Sequence, residues 1–218
     1  MRQSERETTL IMARHGETLW NAEARVQGHL DSPLTPEGLA QARGIAQRLS
    51  KVEIAAIYSS PVGRARETTA LIAAGRGAPV RTRAELRERC YGVLEGLTVE
   101  EAASMHGDWL DGWRANRQRL APPGGETQGE LRRRVMAALR EIVAAHAGET
   151  VAVSTHGGPI KSAVFHILGI PIANWDLTFI ANGSITILRG GPEVLRVVTF
   201  NDTCHLEGES PGWREVED

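Results

Sequence analysis

The chain has 218 residues, a formal net charge of −2 and a hydrophobic content of 41%. That length supports a full core, read as one domain over 1–218, and the near-neutral charge creates no field that favours nucleic acid or an anionic membrane. Two cysteines, Cys90 and Cys204, match no metal spacing and no disulfide framework, and they suit a reducing cytoplasm.

Met1 to Thr8 is polar, and the apolar run after it is too short for a signal peptide or a membrane span. That run predicts a buried strand at about 9–14, ending in Arg14-His15-Gly16. A helix follows from Pro36 to about Ser50, with Thr35 as its N-cap and a stripe of Leu39, Ala42, Ala46 and Leu49. The strand at 54–58 runs into Ser59-Ser60-Pro61. There Ser60 and Pro61 read as N-cap and first turn of a helix that carries Arg64 near its start. Arg66 reads as a solvated charge. After a strand at 79–83 come Leu86-Arg87-Glu88-Arg89-Cys90-Tyr91-Gly92 and then an insertion over about 97–127. Its helix runs from Thr98 to Arg117, places Trp109 and Trp113 on one face, and breaks at Pro122-Pro123-Gly124-Gly125.

The helix at 128–147 has an apolar side of Leu131, Val135, Leu139, Ile142 and Val143. Its Arg132-Arg133-Arg134 run reads as a solvated face. A strand at 150–155 ends in His156-Gly157-Gly158, and Pro159 opens a helix over 160–168. Strands at 183–189 and 194–200 flank Gly190-Gly191 as a hairpin. The acidic tail at about 207–218 reads as mobile. This alternation predicts an α/β fold, a three-layer α/β/α sandwich with a mostly parallel central sheet and a helical lid insertion. His29, His106, His146, His166 and His205 show no ligand-like grouping, so no metal site is expected. A His205 segment covering the pocket is weighed against a plain C-terminal loop, and the loop is preferred.

Two strands thus each deliver a histidine followed by glycine to their carboxyl ends, where open α/β sheets place ligand crevices. Imidazole beside a fixed guanidinium suits attack on a phosphoryl group. Arg64 at a helix start suits the same anion.

These residues, with Glu17-Thr18, Asn21, Asp31-Ser32-Pro33-Leu34-Thr35, Gly38, Gln41-Ala42, Glu95-Gly96 and Gly124-Gly125-Glu126-Thr127, resemble the histidine phosphatase superfamily. The branch is that of cofactor-dependent phosphoglycerate mutases and fructose-2,6-bisphosphatases, and the likeness spans Leu10 to about Asn201. The resemblance implies a three-layer fold and His15 as nucleophile. It places Arg14, Arg64, a cationic His156 and Asn21 around the phosphoryl oxygens, with Gly157 beside them. Glu88 becomes the acid/base, and the insertion roofs the pocket. Arg89 and Tyr91 become substrate contacts under the mutase alternative.

Three departures from the mutase pattern favour a phosphatase of small phosphorylated metabolites. Gly158 stands where mutases have asparagine, Val99 where they have lysine, and Ala115 where they have a second arginine. The hydrolytic reaction needs no metal or organic cofactor, whereas the mutase alternative requires a bisphosphoglycerate primer. A non-catalytic binding domain on the same scaffold is the third reading. The physiological substrate and the oligomeric state, homodimer included, stay open.

Overall fold

A strand buried on both faces needs an unbroken apolar run, and Leu10–Ala13 supplies one. In the computed structural model, which describes residues 6–116 and 119–206, this run forms β1 (Thr8–Arg14) inside a six-stranded sheet. The other strands are β2 (Ala56–Ser59), β3 (Val80–Thr82), β4 (Thr150–Thr155), β5 (Ile185–Gly190) and β6 (Leu195–Asp202). Their spatial order is β3-β2-β4-β1-β5-β6. The pairs β3–β2, β2–β4 and β4–β1 are parallel, and β5 runs antiparallel to both β1 and β6. The fold is mixed α/β with a mostly parallel sheet, as the alternation predicts.

Between the strands lie the single turn α1 (Leu19–Ala22), α2 (Pro36–Arg48), α3 (Gly63–Ala73), α4 (Val99–Asn116), α5 (Gln128–Ala145) and α6 (Gly157–Ile167). Two cores cover the two sheet faces. On one, Leu10, Met12, Val151 and Val153 pack with Leu131, Val135, Leu139 and Ile142 of α5 and Ile160 of α6. On the other, Ile11, Ala13, Ile57 and Ala152 meet Ile45 of α2 and Ile72 of α3. Each fully buried Leu or Ile contributes about 1.5–3 kcal/mol by leaving water.

Several local expectations change. Ile45, rather than Ala46, is the buried anchor of α2 beside Ala42 and Leu49. Helix α3 begins at Gly63 with Val62 as an N-cap that lends no side chain. Ser60 stands two residues before that N-cap, where its Oγ accepts the Val62 N–H at 3.3 Å and lies 2.8 Å from His156 Nε2. Instead Asp31 Oδ1 accepts the Arg64 N–H at 3.2 Å from outside the helix. Helix α6 starts at Gly157, so Pro159 occupies the third helical position rather than the first. Helix α4 is broken at Gly107, whose φ of 41° falls in the left-handed region open to glycine. The tail read as mobile, 207–218, lies outside the described residues.

Chain topology sets the site. β1 and β4 are neighbours in register, Arg14 opposite Thr155. The chain leaves β1 towards α2 on one face and leaves β4 into α6 on the other. A crevice opens where such neighbours diverge.

Candidate active site

One residue beyond the last paired positions of β1 and β4 stand His15 and His156. The parallel register therefore sets the two imidazoles side by side, with ring centroids 5.1 Å apart and planes at 65°. The His15 N–H donates to Thr155 O at 3.0 Å and continues the ladder to the histidine itself. The turn after it is tight. A methyl group added at Gly16 would stand 2.7 Å from the carbonyl carbon of Gly38 in α2, so only glycine lets these segments abut.

His15 Nδ1–H donates to Gly16 O at 2.7 Å. That bond fixes the neutral tautomer with its lone pair on Nε2, towards which Arg64 Nε donates at 3.2 Å. Burial, then Arg64 and Arg14, hold the His15 pKa well below its ordinary value, which favours the neutral ring. His156 is depressed in the same way by burial, Arg64, His15 and Arg14. Burial and these neighbours thus disfavour the cation that the resemblance expects at His156. Ser60 Oγ accepts from Val62 N–H at 3.3 Å and lies 2.8 Å from His156 Nε2. The other ring nitrogen, Nδ1, is buried with no partner among the described residues.

Arg64 is 1% exposed and tied to Leu30 O at 2.6 Å and Gly28 O at 2.8 Å. Arg14 donates to Ile180 O, while its Nε is buried without a partner among the described residues. Burial lowers the Arg14 pKa to about 10, against the opposing pull of Glu88, so it remains charged at neutral pH. Gly157, the first residue of α6, lies against this guanidinium: an added methyl would stand 3.6 Å from Nε. Asn21 Oδ1 accepts from Thr18 N–H at 3.2 Å and from Asn182 Nδ2–H at 3.1 Å, leaving its amide nitrogen as the remaining polar group. Two arginines, two buried nitrogens without a partner among the described residues and the α6 N-terminus converge here. That is a hole for an anion.

Arg14, His15, Asn21, Arg64, Glu88 and Tyr91 line one cavity of about 360 Å³. Leu94, Val99, Leu110, Trp113 and Arg114 line it as well, several of them on α4. Glu88 Oε1 accepts from Arg89 N–H at 2.6 Å and Oε2 from Gly158 N–H at 3.0 Å. Of the predicted site residues, His156 and Gly157 sit behind this lining, against His15 and Arg14, and Arg89 does not line the cavity either. It is 2% exposed, and its guanidinium donates to Glu126 O at 2.9 Å and Leu120 O at 3.3 Å beneath Tyr91 and Trp113. These carbonyls and rings, with the nearby Glu126 and Glu88 carboxylates, offset the desolvation of its charge.

The sequence profile of the histidine phosphatase superfamily (branch 1) matches residues 10–203. The chain belongs to that superfamily. This superfamily member is 43% identical to Phosphoglycerate mutase-like protein 4 of Arabidopsis thaliana, over 91% of its own length and 86% of the relative's. It is 36% identical to the Metal-independent phosphoserine phosphatase of Arabidopsis thaliana, over 91% and 83% of the two chains. Among solved structures, Bacillus stearothermophilus YhfR superposes with a TM-score of 0.85 at 36% identity, covering 92% of this chain and all of the other.

Three residues of this histidine phosphatase superfamily member escape a reading of motifs. Asn182 donates to His15 O at 3.2 Å and to Asn21, and Ser60 Oγ holds His156 Nε2 at 2.8 Å. Arg134, read as part of a solvated face, points inward to the backbone around Glu88. Its burial on the inner side of α5, one residue before Val135, is the periodicity signal that could have found it.

Proposed function

We propose that the chain hydrolyses phosphomonoesters of small metabolites through a phosphohistidine on His15. The observation that carries this is a neutral, tautomer-fixed His15 beside His156, between Arg14 and Arg64, with the Glu88 carboxylate on the same cavity. His15 Nε2 attacks phosphorus in line, and the N–P bond forms as the P–O bond to the leaving alcohol breaks. Protonated Glu88 gives its proton to the departing oxygen. Water then attacks the phosphohistidine and loses a proton to Glu88, and the P–N electron pair returns to His15. Arg14, Arg64, the His156 Nδ1–H, Asn21 and the Gly157 N–H hold the phosphoryl oxygens, and each such donor is worth on the order of 10²–10³ in rate. Acid/base catalysis by Glu88 adds about 10²–10⁴. These side chains supply nucleophile, charge and proton, so we assign no metal or organic cofactor to the reaction. Residues 97–127 act as its roof, and we place the protein in the cytoplasm.

Hydrolysis is favoured over mutase exchange by the cavity wall. Val99 lines the cavity and is apolar, and Arg25 on that wall is committed to Glu101 at 3.0 Å and to Gly96 O at 2.9 Å. With Arg114, 3.7 Å from exposed Asp111, as the cation that remains on it among the described residues, this wall grips an anionic alcohol weakly and favours its release over reorientation. The test is incubation with labelled 4-nitrophenyl phosphate and an alkaline quench that preserves phosphohistidine. A labelled enzyme intermediate that His15→Ala abolishes, with hydrolysis outpacing transfer between phosphoglycerates, is the expected result. Transfer that greatly outpaces hydrolysis establishes the mutase, and inertness to a broad ester panel establishes a binding domain.

A further inference from the structure

Glu88 belongs to no strand or α-helix. It follows the 3-10 turn Ala84–Leu86 and precedes the turn Gly92–Leu94, in a stretch whose backbone has no ladder to hold it. A general acid must nevertheless be placed to a fraction of an ångström. Single bonds reach it from Thr155 Oγ1, which donates to Leu86 O at 2.6 Å, and from His29 Nε2, 3.0 Å from Glu88 O, and the densest support comes from α5. Arg134 Nη1 donates to Glu85 O at 2.6 Å and Arg87 O at 2.8 Å, and Nη2 donates to Glu88 O at 2.7 Å. The remaining N–H groups go to one carboxylate, Nε to Glu126 Oε2 at 3.0 Å and Nη2 to Glu126 Oε1. All five guanidinium donors are therefore used. Glu126 Oε1 also accepts Cys90 N–H at 2.9 Å, so the pair grips the chain on both sides of Glu88. The side chains of Arg134 and Glu126 are 21% and 15% exposed, and water competes little for this fork. Glu126 is itself anchored, because the next residue, Thr127, closes a capping box with Glu130 at the start of α5.

We propose that Arg134, held by Glu126, is a positioning residue for Glu88: the guanidinium fixes the backbone from which the carboxylate reaches the leaving oxygen. An arginine present only for stability has no reason to spend three donors on carbonyls of one irregular segment. This inference rests on the acid role assigned to Glu88.

The experiment compares kcat/KM for 4-nitrophenyl phosphate, whose leaving group needs no proton, with that for a simple alkyl phosphate. It uses the wild type, Arg134→Met, Arg134→Lys, Glu126→Gln, Glu88→Gln and the Arg134→Met/Glu88→Gln double variant. Arg134→Met is expected to lose about 10²-fold on the alkyl ester and less than about 5-fold on the nitrophenyl ester. In the Glu88→Gln background the same change is expected to cost less than about 2-fold, because the two residues act as one unit. Lysine has a point charge and three donors, so Arg134→Lys and Glu126→Gln should shift the ester ratio in the same direction by about 10-fold. These two carry the test if Arg134→Met does not fold. Equal losses on both esters, or losses that multiply in the double variant, overturn the clamp. A flat profile for Glu88→Gln itself removes the acid role and this inference with it. A steep profile for Glu88→Gln beside flat ones for the Arg134 and Glu126 variants removes only the clamp.

Discussion

Gly158→Ala separates catalytic placement from stability. A methyl group there would overlap Oε1 of Glu88 and stand 3.1 Å from its Cδ. The carboxylate is the far end of a flexible side chain, so it can move aside at small cost to folding. Relieving the overlap takes a shift of roughly 1 Å, a misplacement that can cost on the order of 10²-fold in rate. Meanwhile Gly→Ala recovers backbone entropy worth about 0.5–1 kcal/mol in mid-helix and less at this second position of α6, which offsets part of the disturbed hydrogen bond from the Gly158 N–H. The expected outcome is a Tm within about 2 °C of wild type, since 1 kcal/mol moves a chain of this size by about 2–4 °C. In the same variant, kcat/KM for an alkyl phosphate should fall about 10²-fold, and that for 4-nitrophenyl phosphate far less. The assay is steady-state hydrolysis of both esters beside a thermal melt. Wild-type turnover of the alkyl ester would refute the reasoning, and so would equal losses on both esters accompanied by a lowered Tm.

Three further outcomes follow from the same geometry. Arg64→Lys keeps a charge but loses the fork that reaches Leu30 O, Gly28 O and His15, so kcat should drop about 10²–10³-fold, measured with 4-nitrophenyl phosphate. His15 and His156 both have depressed folded-state pKa values, and the unfolded chain binds their protons below about pH 6.5. Stability should therefore hold above that pH and fall on acidification towards pH 5, with a Tm–pH slope that is shallower in His156→Gln. Leu139→Ala, at a fully buried position of α5, should cost about 2–5 kcal/mol by chemical denaturation and leave the ratio of the two ester rates unchanged.

The sheet and the central histidines were legible because they depend on local signals. Apolar runs at 10–13 and 151–153 specify strands, and the residue after each run must emerge at the carboxyl edge. What was not legible depends on partners distant in sequence. Ser60 reads as a helix cap, whereas in the fold it stands before the N-cap and meets a histidine 96 residues later. Arg134 reads as solvated until the Glu88 segment, 46 residues earlier, presents its carbonyls. Arg89 sits two residues from Tyr91 on the cavity wall, yet its head group turns into the wall. The lowered pKa of His156 could not be read from residue type, because it arises from burial beside Arg64, His15 and Arg14.

The alignment of Arg14 with Thr155 couples two properties that are otherwise separable. Sliding β1 past β4 by one step would turn Leu10 and Met12 out of their core and carry His15 away from its counterpart at the same time. Mispaired chains are thus penalised by the interior before chemistry is ever attempted, and every molecule that completes its hydrophobic layers already has its two imidazoles in place. Loss of activity on heating should trace the same curve as loss of structure.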